Sequence, residues 1–397
     1  MGAHVLLANE FGAGRGHLTT LRQLALALGP GYALDAALCR RAYDNILTDI
    51  GATVFDGPRL IYHNARRQGP DATPTATWGE FLGDLGFDRE VRVAEVVDWW
   101  RHVIVSRGIE LVLADYAPLA LLAARSLGVT TVTTGTGFGL PPWQMAQFPM
   151  LKPENATRLH DEKSLLANVN AVATRHCMLP LAGLPEVYRA DLTLVRTLPF
   201  LDPYAPWRRD IYLPPVTDIS PMLAGPGDEV FVYFSTSEFE DPQVVEALVA
   251  LPLPRRGYLP GVPEGVAARL AASGMVLEPA PVPVADIVRR SRMVLNAGQH
   301  GILSLALFAG LPQVCLPQHQ EHLWHATAAK TKGVALVVPS ADRTTAAVLD
   351  AVRAVQGDDA MFARAQFVAQ GLRNDLDGDP DTVTARHLHA GLAGLRV

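Results

Sequence analysis

The sequence predicts an α/β fold made of two doubly wound domains. Three observations carry that prediction. The chain is long, short apolar runs alternate with helix-spaced segments in both halves, and a proline-dense stretch lies between them. At 397 residues it exceeds what one compact core ordinarily serves. Apolar residues make up 49% and charged residues 19%, the balance of a well-buried globular protein.

The first half reads as strand, glycine loop, helix. Val5 to Ala8 is a short buried strand, and Gly12-Ala-Gly-Arg-Gly-His17 is a glycine-rich turn. Leu18, Leu21, Leu24, Ala25 and Leu28 then recur at helical spacing, and Gly29-Pro30 stops the run. The alternation returns with a strand at Glu110–Ala114, a helix at Pro118–Leu127 and a strand at Val129–Thr134. Such units imply a parallel sheet with helices on both faces. Residues 136–190 read as irregular loops followed by one or two helices.

Seven prolines between Pro199 and Pro226 exclude regular structure there and suit a linker. A second α/β run follows: a strand at Glu229–Phe234, the turn Ser235-Thr236-Ser237, a helix at Pro242–Leu251, a strand at Met293–Asn296, the turn Gly298–Gly301, a helix at Ile302–Phe308 and a strand at Gln313–Leu316. The expected domains are therefore 1–205, a linker at 206–226, and 227–380. A last helix within 381–397 is expected to cross back over the first domain.

The net charge of −6 gives no basic surplus for nucleic acid. Cys39, Cys177 and Cys315 are isolated and odd in number, as for reduced thiols in a cytoplasm. The N-terminus has no signal-peptide pattern, and no apolar stretch reaches the length of a membrane span. A cytoplasmic monomer or homodimer is the expectation.

Four places hold side chains suited to chemistry. In the Gly12–His17 turn, glycines let the backbone approach a ligand and the helix start offers N–H groups. A dinucleotide fingerprint needs a third glycine where this chain has His17, which argues against a nicotinamide site. His17 is then either a general base or a residue that caps the helix. Asp115 follows a strand whose C-terminal end should face a ligand crevice. It either orients a histidine or caps the next helix, and position alone favours the cap. Asn296-Ala-Gly-Gln-His-Gly301 is a second strand-to-helix turn suited to a diphosphate, with His300 as a further donor. His319, His322 and His325 share one helical face, but no HExxH pattern or completing carboxylate supports a metal there. No metal is expected. Glu321 is better placed to accept hydrogen bonds from hydroxyls.

The segment from Asn296 to Ala326 resembles the nucleotide-sugar signature of GT-B glycosyltransferases, nearest to the UDP-glycosyltransferase-like group of bacterial and plant natural-product enzymes. Gly298, Gly301, Ala306, Leu307, Gly310, Pro312, Pro317, Glu321 and Ala326 fall in register with it. Gly16-His17 is similar to the family's catalytic loop, Leu113-Ala-Asp115 to the segment that supplies its Asp partner, and Thr134–Pro142 to a loop of bacterial members.

The resemblance implies two Rossmann-like domains facing each other across a cleft. It implies inverting, metal-independent sugar transfer from a nucleotide-diphosphate donor, UDP or dTDP, to a hydroxyl of a small apolar acceptor, with no resident cofactor. His17 and Asp115 would be catalytic. Gly14, Gly16, Ser235, Thr236, Ser237, Val282, Gly298, Gln299, His300, Gly301, Glu321 and His322 would hold the donor. Trp78, Phe81, Phe138 and Trp143 would line the acceptor site, with Phe87, Trp99 and Trp100 as further candidates; core packing is the commoner role of such residues. Loops at 60–90 and 136–160 would set specificity.

The chain departs from the signature at several positions. The phosphate-binding His falls on Ala297, a usual Gly on Gln299, the Gln after the acidic residue on His322, the usual Asn on His325, and the base-stacking aromatic on Pro281. These departures imply rebuilt donor contacts supplied by His300, His322 or His325. They also motivate a competing reading, a degenerate GT-B protein that binds without catalysis. A sugar-nucleotide epimerase ranks third and an NAD enzyme last.

Overall fold

The structure is a computed structural model that describes residues 3–12, 14–61, 66, 73–151, 157–215, 218–220, 222–235 and 237–395. The chain divides into two compact units, one of Met1–Leu213 with Asp381–Val397 and one of Pro214–Pro380.

The first unit holds a seven-stranded parallel sheet. Its strands are β1 (His4–Asn9), β2 (Ala33–Leu38), β3 (Thr53–Asp56), β4 (Leu111–Asp115), β5 (Thr130–Gly135), β6 (Leu192–Arg196) and β7 (Ile211–Leu213), in the order β3-β2-β1-β4-β5-β6-β7. The helices are α1 (Arg15–Leu28), α2 (Asn45–Thr48), α3 (Trp78–Leu82), α4 (Glu90–Ser106), α5 (Pro118–Ser126), α6 (Glu162–Arg175) and, from the chain's end, α14 (Pro380–Gly394). One sheet face packs on α1, α2 and α14 through Leu7, Leu113, Val132 and Leu194. On α1 the buried residues are Leu18, Leu21, Leu24, Ala25 and Leu28, the stripe read from the spacing. Each such leucine contributes about 2 kcal/mol of burial. Of the other helices, α4 packs on both α5 and α6, with α5 against β4 and β5 and α3 against α6.

The second unit holds a six-stranded parallel sheet of β8 (Glu229–Tyr233), β9 (Arg255–Tyr258), β10 (Val276–Glu278), β11 (Ser291–Asn296), β12 (Gln313–Cys315) and β13 (Ala335–Val337), in the order β10-β9-β8-β11-β12-β13. Around it lie α7 (Pro242–Ala250), α8 (Glu264–Ala272), α9 (Val284–Arg290), α10 (His300–Ala309), α11 (Gln320–Thr331), α12 (Thr345–Gln356) and α13 (Asp359–Asn374). Val232, Met293 and Val314 face α7, α8 and α12, while Phe231 and Val294 face α9 and α10. No helix among the described residues is long and apolar enough to cross a membrane.

In each sheet the strand order reverses once, between β1 and β4 and between β8 and β11. Loops leaving the two strands at a reversal diverge to opposite faces, so a crevice opens at the C-terminal ends there. That geometry decides where ligand chemistry can sit.

Three local features differ from the sequence reading. Ile211–Leu213 is a strand inside the proline-dense segment; no proline falls between Pro206 and Pro214, which leaves room for a short strand on the sheet edge. Helix α1 starts at Arg15, which puts Gly16 and His17 in its first turn and not in the loop. The strands β2, β3, β6, β9, β10 and β13 and the helices α4, α8, α9, α12 and α13 add to the elements read from sequence.

Candidate active site

The first reversal brings His17 and Asp115 together. Nδ1 of His17 lies 3.1 Å from Oδ2 of Asp115, across 98 positions of sequence. Asp115 ends β4 and its side chain is 2% exposed, while that of His17 is 23% exposed. A carboxylate only accepts, so Nδ1 carries the proton and the basic lone pair falls on Nε2. Asp115 does not cap α5, whose N-cap residue is Ala117. The cap reading, favoured by position, therefore gives way to the histidine pair.

Residues the sequence reading passed over hold this pair in place. Asn9, at the buried end of β1, donates through Nδ2 to the carbonyls of Phe11 (2.8 Å) and Asp115 (3.0 Å). The next residue, Glu10, donates its backbone N–H to the Tyr116 carbonyl at 3.2 Å. Its carboxyl accepts from the N–H groups of Leu119 and Ala120 at the start of α5. Burial pushes the Glu10 carboxyl up to about 8, against those two backbone bonds. Two polar residues at the end of an otherwise apolar strand were the available signal. Arg196, at the end of β6, is also buried and donates to Thr384 of α14. Burial lowers its guanidinium to about 10, opposed by the charges of Asp381 and Asp115.

Gly12 closes the site on one side. A Cβ there would lie 2.5 Å from His17 Nε2, and the backbone has φ 95°, so only glycine suits both the fold and the imidazole. Gly14 is the N-cap of α1, and both it and Gly16 are exposed.

Aromatic rings continue from the imidazole. Tyr116 meets His17 edge-on, with centroids 4.8 Å apart at 83°. Phe11 packs edge-on to Phe81 at 5.2 Å, and Phe81 lies 4.7 Å from Trp78. Trp78 in turn lies 5.7 Å from Phe138. Phe11, Phe81 and Tyr116 are half-buried, whereas Trp78 and Phe138 are buried behind them. Trp78 also donates from Nε1 to the hydroxyl of buried Tyr188 at 2.7 Å. Trp143 stands apart and carries the Arg189 guanidinium 4.9 Å over its ring. Phe87 and Trp100 are core residues at 0% exposure, and Trp99 packs on Trp100 and Phe55. The loops at 60–90 and 136–160 are described only outside residues 62–65, 67–72 and 152–156.

Tyr116 has φ 51°, in the left-handed region. A bulky side chain there costs about 1–2 kcal/mol of backbone strain.

The second reversal assembles different chemistry. Asn296, wholly buried at the end of β11, accepts the Gly298 N–H at 2.6 Å and donates to Gln313 at 2.8 Å. Gln299 clasps the turn: its Oε1 accepts the Ala297 N–H and its Nε2 donates to Glu238 at 2.8 Å. Glu238 is buried and follows Ser235 and Ser237, both half-buried, in the turn after β8. Thr236 lies outside the described residues. Gln299 caps α10 by position only, with no side-chain bond to the helix start, where His300 and Gly301 follow. Those N–H groups carry the positive end of a ten-residue helix. Val282 is half-buried against the α9 and α10 core.

Four imidazoles surround the starts of α10 and α11. The rings of His300 and His325 are 5.0 Å apart, and those of His319 and His322 3.7 Å. Burial lowers His322 and His325 well below the usual histidine range, so they stand neutral at neutral pH, while His319 is exposed at the N-cap of α11. Glu321 is half-buried in the first turn of α11. Among the described residues no three His, Cys, Asp or Glu side chains converge as a metal site would require.

No protein-family model and no curated protein matches this chain. Solved structures do. CalG4, the calicheamicin glycosyltransferase, superposes with a TM-score of 0.68 over 99% of this chain and 98% of its own, at 18% identity. The spinosyn rhamnosyltransferase SpnG gives 0.66 at 17% identity, over 98% of this chain and 100% of its own. The glycosyltransferase VinC, solved with dTDP, gives 0.64 at 16% identity, over 98% of this chain and 100% of its own. SpnG has also been solved with thymidine diphosphate and with spinosyn aglycone. Over its whole length, then, this chain has the two-domain GT-B fold that those glycosyltransferases share.

Proposed function

We propose that this protein is an inverting, metal-independent glycosyltransferase that moves a sugar from a nucleoside-diphosphate donor to a hydroxyl of a small, apolar acceptor. The observation that carries the proposal is the His17–Asp115 pair at the strand-order reversal of the first unit. His17 takes the acceptor's hydroxyl proton at Nε2, and Asp115 stabilises the imidazolium that results. The acceptor oxygen bonds to the anomeric carbon from the face opposite the diphosphate. The bond from that carbon to the diphosphate oxygen breaks, and the nucleoside diphosphate leaves. Base catalysis of this kind contributes about 10²- to 10⁴-fold.

The second unit offers the donor its uncapped α10 start, Ser235 and Ser237 near the diphosphate, and Glu321 for sugar hydroxyls. UDP and dTDP fit best with what the solved neighbours hold, since VinC carries dTDP and another, LpCGTa, carries UDP. The half-buried faces of Phe11 and Phe81 suit an apolar acceptor beside the base. No resident cofactor enters the scheme. Three free cysteines suit a reducing cytoplasm, where such donors are made.

Calorimetry with UDP, dTDP and GDP, followed by turnover with the corresponding sugars, tests the reading. Binding of UDP or dTDP together with acceptor-dependent sugar transfer supports it. Binding of none would favour a non-catalytic protein, and donor isomerisation without acceptor would favour an epimerase.

A further inference from the structure

The aromatic panel and the His17–Asp115 pair share one ring, that of Tyr116. We propose that Tyr116 is the positioning residue of the pair: its ring holds the His17 imidazole in the orientation that keeps Nδ1 on the Asp115 carboxylate. The inference rests on the reading of His17 as the base.

Three independent features converge on this ring. The first is the backbone. Glycine or asparagine ordinarily fills a left-handed position after a strand, and here a tyrosine does, with φ 51°. A chain that keeps a bulky side chain in that conformation needs the direction in which it points. The second is the contact itself. The phenol ring stands edge-on to the imidazole, 4.8 Å between centroids at 83°, the crossed arrangement that ring quadrupoles favour. On its other sides the ring meets Trp78 at 5.9 Å and Phe11 at 6.0 Å, so it cannot swing away from His17. The third is the seat of the phenol end. A Cβ at Gly139 would overlap the Tyr116 ring carbon and hydroxyl, so glycine at 139 leaves the space this ring occupies.

The need for such a wall follows from the pair's geometry. His17 meets Asp115 through Oδ2 at 3.1 Å, and the phenol edge against its ring limits how far the imidazole can turn about that bond. Rotation of the ring by half a turn would put a carbon on the carboxylate and remove the tautomer that leaves Nε2 basic. The crossed phenol blocks that rotation. Tyr116 thereby acts on the reaction through His17.

The full chain labelled with ¹⁵N-histidine tests this without turnover. The His17 ring signals, assigned by their loss in His17→Gln, report the tautomer. The wild type is expected to show Nδ1–H alone. Tyr116→Gly removes the ring and relieves the left-handed backbone, and it is expected to show a mixture of tautomers. Tyr116→Phe is expected to restore the single tautomer. In turnover, Tyr116→Gly is expected to lower kcat on the order of 10- to 100-fold with the donor KM unchanged, as for a misplaced catalytic group. Gly139→Ala is expected to lower kcat alone and to add nothing in the Tyr116→Gly background. A single Nδ1–H tautomer in Tyr116→Gly overturns the proposal, as does an equal effect of Gly139→Ala with and without the ring. Should the wild type transfer no sugar, the functional reading fails, and the tautomer still decides the role of Tyr116.

Discussion

The two units solve one topological problem with opposite chemistry. Each reverses its strand order once, and each places its polar residues at the C-terminal ends of the two strands that flank the reversal. In the first unit those ends carry a partly exposed histidine bonded to a buried carboxylate. In the second they carry an uncapped helix start among buried, neutral imidazoles. In the proposed reaction the first arrangement accepts the proton, and the second offers N–H groups to the diphosphate. Topology therefore decides where a site forms, and the side chains at the strand ends decide what it does.

The comparison breaks most sharply at the first reversal. Asp115→Asn is expected to reverse the His17 tautomer, because an amide N–H would donate to Nδ1. Transfer should fall by about 10²- to 10⁴-fold in this variant and in His17→Ala, while UDP or dTDP binding survives. Rates from coupled assays and affinities from calorimetry check both arms, and retained turnover in His17→Ala would remove the base from the first unit.

Acid should act on the second unit. Buried His322 and His325 titrate well below 6.5, whereas in the unfolded chain they bind protons near it. Unfolding thus takes up protons as pH falls below that value, and stability present at neutral pH is lost toward pH 5. Each group contributes up to ~1.4 kcal/mol per pH unit. Hydrogen exchange over α10 and α11 should quicken between pH 7 and 5, ahead of that over α1 and β4. Equal changes in both units would contradict the contrast.

The first unit should respond in the opposite direction. The folded chain holds the Glu10 proton up to about 8, against 4.5 for an ordinary glutamate. Stability from this group is complete below 4.5 and is lost as pH rises to 8. Glu10→Gln keeps an acceptor for Leu119 and Ala120 without the buried charge, and should gain about 1–3 kcal/mol at pH 8 and little at pH 5. Denaturant melts at the two pH values measure the difference.

The smallest effect concerns Gly298, whose Cβ would lie 2.5 Å from the His322 carbonyl and whose φ is 89°. Gly298→Ala should shift the α10 start and weaken UDP or dTDP about tenfold, ~1.4 kcal/mol. Unchanged affinity would take the diphosphate away from the second unit.

Much of this was legible in the amino-acid order. The buried stripe of α1 follows from apolar residues three and four apart, and both reversal turns are marked by glycine after an apolar run. Asp115 was visible as the polar end of a strand, but its role was not. Whether it capped α5 or held His17 depended on β4 lying beside β1, a neighbour relation between segments about a hundred positions apart. Tyr116 carried no signal, since a left-handed tyrosine is set by the rings and the glycine it packs against. Likewise Gln299, aligned with a donor-binding position, bonds to Glu238 and to the Ala297 N–H, contacts no local pattern announces.

By itself, then, the sequence determined the alternating elements, the two glycine-marked turns and the candidate residues for chemistry, because periodicity and turn propensity are local properties. Only the tertiary structure decided which of those groups meet. Strand order and the packing of helices on each sheet are settled by contacts distant in sequence. Those contacts placed Asp115 on His17 with Tyr116 against the imidazole, and buried His300, His322 and His325 around the starts of α10 and α11.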